Sequence, residues 1–358
     1  MQVMYLIGRI QRGGQFYVAL EEAKLLRIRG CSVAMGGLTA SSRAILELRR
    51  CGIEVYIGLE SIIEGISKYD LIHVHDGLRI FLTAKLGNKA LNNLLSKKPV
   101  VVTYHGMPSL KIVEFKKWPD LIVFKTLYYR LLRRYANQVI AISEFVKREL
   151  KNHGIRNVIV VHNGIVVEDH LPNREHPLDV GQLKLLYIGS AAKHKRVDFL
   201  LKYLVESKKH IDRVLNVDIS LTVAGFGCDK FKKLVERHRW IKIFGSLERE
   251  NILHLYHTHH VFISASMWEG FGLPYLEALG RGLPVIARDI PITRELLTNC
   301  EAAFLLKLGN PAELIEILKI IINNYRYLER KAWEHAQEFR LDKHVNCLVK
   351  VYERVLRS

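Results

Sequence analysis

Cysteine is scarce: five residues (Cys31, Cys51, Cys228, Cys300 and Cys347) stand far apart in 358, with no C-x-x-C pair. That excludes a disulfide framework and a cysteine zinc site, and it fits a reducing compartment. Nowhere do about 18 apolar residues run without a charge, which excludes a membrane-spanning helix. The apolar run Val3 to Ile7 behind Met1 is too short for the hydrophobic region of a signal peptide. The expected location is the cytoplasm, free or peripheral on the inner membrane face. G-x-G-x-x-G is missing, which disfavours an NAD enzyme. D-x-D is missing too, so no divalent ion clamping a diphosphate is implied and no cofactor or metal is expected. Low-complexity segments are absent, as is any internal repeat beyond two similar halves.

What is present is positive charge. Lys plus Arg outnumber Asp plus Glu by 54 − 36 = 18, in a chain that is 49% hydrophobic and 25% charged. The proportions are those of a soluble globular protein. The bias suits an anionic partner: nucleic acid, lipid or a polyphosphate-bearing substrate. Much of it falls between residues 111 and 134, where Lys111, Lys116, Lys117, Lys125, Arg130, Arg133 and Arg134 interleave with Phe115, Trp118, Phe124, Tyr128 and Tyr129. The stretch reads either as a face for an anionic membrane surface or as a solvated helix face. No nucleic-acid-binding motif accompanies it, so no nucleic-acid partner is expected.

The length allows two domains with separate cores. In the first half, short apolar runs alternate with helical patterns, which predicts a parallel sheet covered by helices. After the strand Val3 to Ile7 comes a glycine-bearing loop, Gly8 to Gly14, then a helix over Gln15 to Arg29. Gly13 and Gly14 at the helix start either seat a phosphate or form a plain strand-to-helix turn. His73 and His75 share a face of a strand, a spacing that admits metal as well as a structural role. Pro99 to Gly106 reads as a buried strand delivering His105 and a glycine to its carboxyl end, the edge where open parallel sheets bind ligands. A polar, proline-bearing linker over Val167 to Gln182 separates the halves.

Strand and helix alternation restarts at Leu183 to Tyr187, followed by the loop Gly189 to Arg196 and a helix over Val197 to Leu204. Strands ending in Gly225 and Gly245 follow, and His257, His259 and His260 read as a solvated helix end. The densest stretch is Ser264 to Glu277, Ser-Ala-Ser-Met-Trp-Glu-Gly-Phe-Gly-Leu-Pro-Tyr-Leu-Glu. The run Val261 to Ile263 predicts a buried strand, and Pro274 predicts the first position of a helix over Tyr275 to Leu279. Gly270 and Gly272 then let backbone approach a ligand, with the amides of 271 to 275 at the positive end of a helix dipole. Glu269 and Glu277 can both accept hydrogen bonds from vicinal hydroxyls.

The spacing of Glu269 and Glu277, E-x7-E, and the run Glu-Gly-Phe-Gly-Leu-Pro resemble glycosyltransferase family 4, retaining enzymes that use nucleotide sugars. The resemblance extends over most of the chain. It implies the α/β architecture called GT-B: two doubly wound Rossmann-like domains with parallel sheets facing across a cleft. The first would be an N-terminal acceptor-side domain, 1–166, with 343–358 returning to pack on it. The second would be a nucleotide-sugar-binding domain, 167–342. It implies a hexosyltransferase of glycan biosynthesis, with His105, Lys195 and Glu269 as catalytic residues. Donor-binding residues by the same resemblance are Gly14, Ser190, Lys195, Arg196, Gly225, Phe271, Gly272, Leu273 and Glu277, with Glu277 on the ribose. Partners are then a nucleotide-sugar donor and a lipid-linked, glycan or small hydroxyl acceptor. One departure stands out: Ser190 occupies the place of the family's usual arginine, so Lys193 or Arg196 must supply that charge, or donor affinity is weak. The departure keeps open a non-catalytic nucleotide- or glycan-binding subunit, and an epimerase on the same fold is a further alternative.

Overall fold

The computed structural model describes residues 1–75, 77–106 and 118–357. Asp76 and residues 107–117, which include part of the basic stretch, lie outside them. Two compact units result, Met1–Gly164 with Leu341–Ser358, and Ile165–Arg340. The boundaries expected after residues 166 and 342 each fall two residues earlier. Ile165 already pairs within the second unit, its N–H donating to the Phe339 carbonyl at 2.8 Å.

In the first unit the strands are β1 (Gln2–Ile7), β2 (Arg9–Ile10), β3 (Ser32–Gly37), β4 (Thr39–Ala40), β5 (Glu54–Ile57), β6 (Leu71–His75), β7 (Val100–Tyr104), β8 (Gln138–Ala141) and β9 (Val158–Val160). Seven form one parallel sheet in the order β5-β3-β1-β6-β7-β8-β9. β2, inside what the sequence presents as a plain glycine loop, makes a separate parallel pair with β4. Ile10, buried completely, is what draws that loop inward. Alternation along β1 sends Val3, Tyr5 and Ile7 to one face, where they meet Phe16, Ala19, Leu20, Ala23 and Leu26 of the helix Gly14–Ile28. The helix Leu341–Arg357 covers the same core with Val345, Leu348, Val351, Tyr352 and Val355. Each such side chain contributes about 1.5–3 kcal/mol when fully buried, so the chain's last helix is part of this unit's core.

The helix Trp118–Tyr135 divides the aromatic residues of the basic stretch. Tyr128, Tyr129 and Tyr135 are buried, Tyr129 donating to Glu149 at 2.9 Å, whereas Val123, Phe124 and Arg130 are exposed. The tyrosines are therefore core, and only the outer face presents apolar and basic groups together.

The second unit contains β10 (Gln182–Ile188), β11 (Asp218–Ala224), β12 (Ile241–Phe244), β13 (Val261–Ser264), β14 (Val285–Arg288) and β15 (Ala303–Leu306). All are parallel, in the order β12-β11-β10-β13-β14-β15. The helix after β10 runs from Val197 to Leu215, well past the expected end at Leu204. The segment read as a linker is pinned by Arg174, which is 5% exposed. Its guanidinium pairs with Glu329 at 2.7 Å and donates to the carbonyls of Tyr256, His257 and Arg281.

His259 and His260 do not form a solvated helix end; both are buried. His259 sits between the Leu255 carbonyl (2.8 Å) and Thr222 Oγ1 (2.8 Å), and His260 Nδ1 accepts the Lys184 N–H at 3.1 Å. Burial pushes their pKa values down to about 4 and about 3. They are neutral in the fold, while the unfolded chain takes up their protons below the ordinary value of 6.5. Stability is thus complete above pH 6.5 and lost as pH falls below it, at about 1.4 kcal/mol per histidine per pH unit. Chemical denaturation at pH 5.5 should show the second unit less stable than at pH 7.5 by roughly 2–3 kcal/mol from this pair. Equal midpoints at the two pH values would contradict the assignment.

Candidate active site

In both units the strand order reverses once, and the chemistry-bearing residues gather at that point. The first sheet builds outward from β1 to β3 and β5, then restarts at β6; the second builds from β10 to β11 and β12, then restarts at β13. Loops leaving the carboxyl ends of the paired strands diverge there and leave a crevice.

In the second unit the loop after β10 carries Ser190, Lys195 and Arg196, and the loop after β13 carries Glu269 to Gly272. They are tied together by several contacts. Lys195 Nζ meets Glu269 Oε2 at 2.5 Å. The Met267 N–H donates to the His194 carbonyl at 2.8 Å. Arg196 reaches Met267 Sδ at 3.3 Å. Glu269 is buried, with Lys195 its paired cation, as a carboxylate in low dielectric requires. Beside it the hydroxyls of Tyr187 and Tyr275 are held well above the ordinary phenol range by burial and then by the Glu269 charge.

Glu277 has its own partners. Arg249 Nη2 lies 2.5 Å from Oε1, and the buried Tyr256 hydroxyl donates to Oε2 at 3.1 Å. Arg281 stacks over the Tyr256 ring at 5.6 Å and donates to the Glu277 carbonyl at 3.1 Å. Each carboxylate of the E-x7-E pair is therefore held by a separate cation, with lone pairs remaining for a ligand. The helix that carries Glu277 spans Leu273–Leu279, so Pro274 stands second rather than first. The expected amide cradle is shorter than 271 to 275. Pro274 has no N–H, and the Tyr275 N–H is bonded to the Gly272 carbonyl at 3.0 Å. Phe271 is buried edge-on against Phe339, so its ring is spent on packing. Gly272 has φ 97°, and a Cβ there would meet the Tyr275 ring.

Several cations lie on the loop that carries Ser190 or close to it in the second unit. Arg196, in left-handed backbone at φ 51°, lies over the Phe199 ring at 5.3 Å, and Arg288 approaches the same ring at 5.5 Å. Lys230 donates to the Ala191 carbonyl at 2.9 Å. Lys193 is exposed. Arg249 and Lys230 have no motif to mark them, and Arg249 lies 28 residues from its partner Glu277.

In the first unit Gly14 begins the helix Gly14–Ile28 and lines a surface hollow with Arg9, Arg12, Gly13 and Arg79. His105 follows β7 and meets His75 Nδ1 through Nε2 at 3.0 Å. Glu22, His73 and His75 bring possible ligand atoms within 4.8 Å of one another. Both nitrogens of His73 are engaged, Nε2 with Thr103 at 2.7 Å and Nδ1 with the Tyr352 hydroxyl at 2.6 Å. Among the described residues of this group two uncommitted ligand atoms remain, short of the three protein ligands of a catalytic zinc site.

Two Rossmann-like units with parallel sheets have the architecture of GT-B glycosyltransferases. Residues 172–339 match the family described as Glycosyl transferases group 1, and residues 12–169 the one described as Glycosyltransferase Family 4. The protein is a glycosyltransferase built from these two domains. Among its relatives is an uncharacterized glycosyltransferase of Methanocaldococcus jannaschii, 24% identical over 300 residues, 82% of this chain and 76% of that one. Another is the O-antigen chain mannosyltransferase RfbU of Salmonella typhimurium, 24% identical over 220 residues, 57% and 60% of the two chains. The fold is shared with Anabaena HepE, solved in complex with UDP and glucose, at a TM-score of 0.78 and 17% identity over 99% of this chain and 100% of that one.

Gly225 tests how closely the crevice is built. Its φ is 149°, and an added Cβ would fall on the Gly189 carbonyl. Gly225→Ala should lower unfolding free energy by about 2 kcal/mol or more, through backbone strain and steric overlap. A denaturation midpoint equal to the parent's would mean that the two loops can part without cost.

Proposed function

We propose that the protein transfers a hexose from a nucleotide sugar to a hydroxyl, with retention at the anomeric carbon and without a metal ion. The observation that carries this is the pair of cation-held carboxylates, Lys195 with Glu269 and Arg249 with Glu277, at the reversal point of the second sheet. In this reading Glu277 accepts the ribose hydroxyls and Glu269 those of the sugar. Lys195, with Arg196 nearby, exchanges its carboxylate contact for the leaving diphosphate. Solved proteins of the same fold bind UDP with glucose or with GlcNAc, which supports a nucleotide-sugar donor.

The chemistry asked of the protein is positioning and charge stabilisation. Fixed cations stabilise negative charge as it develops on the diphosphate. In a front-face reaction the departing phosphate oxygen accepts the acceptor's proton while the oxocarbenium-like sugar is attacked from the same side. Neither carboxylate then has to act as nucleophile, unlike the double displacement of retaining glycosidases. We assign His105 a catalytic role and Gly14 a part in phosphate binding.

A lipid-linked acceptor is the acceptor class we favour. The hollow at Gly14 offers Arg9 and Arg79 to an acceptor phosphate, and Val123, Phe124 and Arg130 give one helix an apolar and basic outer face. Such a face suits peripheral contact with anionic lipid at the inner membrane surface.

A thermal-shift panel of UDP, GDP, ADP and their sugars identifies the donor, since a ligand at 100 times its Kd adds about 2.7 kcal/mol. With the donor so found, Glu277→Gln and Lys195→Ala should each reduce kcat/KM by at least about tenfold, equivalent to 1.4 kcal/mol, in protein that remains folded. EDTA should leave the parent rate unchanged. Parent-level transfer by either variant removes the site assignment, and EDTA inhibition reversed by added metal removes the metal-free mechanism.

A further inference from the structure

We infer that Glu22 and His75 are positioning residues that hold His105 in one tautomer, proton on Nε2 and lone pair on Nδ1. The chain's last helix anchors the same line through His344. The inference rests on the catalytic role proposed for His105.

The line begins at His344. Its Nδ1 lies 2.6 Å from the His162 carbonyl oxygen and its Nε2 2.8 Å from Glu22 Oε1. A carbonyl oxygen can only accept. An ionised carboxylate can only accept as well. Glu22 is ionised: burial acts to raise its pKa, but the hydrogen bond from His344 and the facing His75 N–H outweigh it and hold the carboxyl well below its usual range. Both nitrogens of His344 therefore carry protons, and the imidazolium balances the buried carboxylate. Glu22 is 1% exposed and His344 6%, so neither charge is left to water.

The other carboxylate oxygen, Glu22 Oε2, faces His75 Nε2 at 3.5 Å. These two atoms are among the buried polar atoms that lack a close hydrogen-bond partner among the described residues. The single charge of Glu22 is already balanced by the His344 imidazolium, and a second cation on the wholly buried His75 would be left uncompensated, so His75 carries one proton; the carboxylate opposite Nε2 keeps it there and leaves Nδ1 with only a lone pair. His105 Nε2, 3.0 Å from that lone pair, must then donate. Burial pushes the His105 pKa down to about 3, so at neutral pH its ring has a single N–H, and Nδ1 is an acceptor. A histidine so held can take a hydrogen bond from a sugar or acceptor hydroxyl and cannot give one.

Glu22 belongs to the helix Gly14–Ile28, His75 ends β6, His105 follows β7 and His344 sits on the helix Leu341–Arg357. Four separate elements thus define one proton position. None of the four is needed for the tautomer of an isolated exposed histidine, which is an exchanging mixture.

The full chain, labelled with ring 15N-histidine, tests this directly at pH 7.5, the His105 signals being identified by their loss in His105→Gln. A neutral ring with the proton on Nε2 supports the inference; a proton on Nδ1, a mixture of tautomers or a cationic ring overturns it. In His75→Phe the His105 ring should show both tautomers. Its kcat should fall by about tenfold, the lower end of what outer-shell partners contribute, with the donor KM within about threefold of the parent's. Should His75→Phe not fold, the parent spectrum alone decides. If the tautomer is as expected and His105→Gln still transfers at the parent rate, the role given to His105 is wrong while the line that orients it stands.

Discussion

A carboxylate removed from water must meet a positive partner, and the edges of both sheets are arranged around that requirement. Glu269 is held by Lys195, Glu277 by Arg249 and the Tyr256 hydroxyl, Glu22 by the His344 imidazolium. Breaking a fully buried pair such as Glu22 with His344 by removing one member costs about 3–5 kcal/mol, because the survivor is left uncompensated. The same pairs are poor sources of net stability, since desolvation consumes much of the Coulombic gain. Their value lies in placement. Lys195 and Glu269 come from the loops after β10 and β13, so the contact that neutralises them also fixes the two loops against each other. A ligand carrying a diphosphate and hydroxyls offers each member of a pair a new partner of the right sign, and the exchange leaves no charge bare.

Placement of this accuracy needs a rigid support, which the second unit provides behind Glu277. Tyr256 is wholly buried, with its hydroxyl on the carboxylate and its carbonyl on Arg174. Arg281 lies across its ring and reaches back to the Glu277 carbonyl. Arg174 in turn is locked by Glu329, which also receives Arg326 at 2.9 Å. Buried guanidinium groups of this kind satisfy several carbonyl oxygens at once, which a lysine could not do in the same plane. The segment that looks like a connecting linker in composition is therefore part of the support for the site.

The sequence made some of this legible and hid the rest for physical reasons. Continuous apolar runs announced most of the strands, because strands buried on both faces read as unbroken Val and Ile. Pro274, Gly272 and the two glutamates announced the turn after β13, because its backbone conformation and its acids are local. Arg249, Arg174 and Glu22 were invisible: each acts on a partner far away in sequence, and no local pattern marks it. The loop after β1 read as irregular since a two-residue strand leaves no period to detect, and only the burial of Ile10 explains β2. His259 and His260 looked solvent-facing because a polar residue at a helix end usually is. Thr222 and the Lys184 N–H, supplied by β11 and β10, are what make their burial affordable.

The first unit is finished only by the end of the chain. Tyr352 donates or accepts at Tyr5 across 347 positions at 2.9 Å, and His344 meets Glu22 across 322. Contacts of that separation carry a large loop-closure cost before they return anything. Until Leu341–Arg357 docks, Val3, Tyr5 and Leu20 lack part of their cover and Glu22 lacks its balancing imidazolium. The alternatives for Glu22 are to take up a proton or to draw in water, and either undoes the fixed proton on His75. The order at His105 is thus coupled to completion of the fold: the side chains that close the core are those that set the charge beside the site.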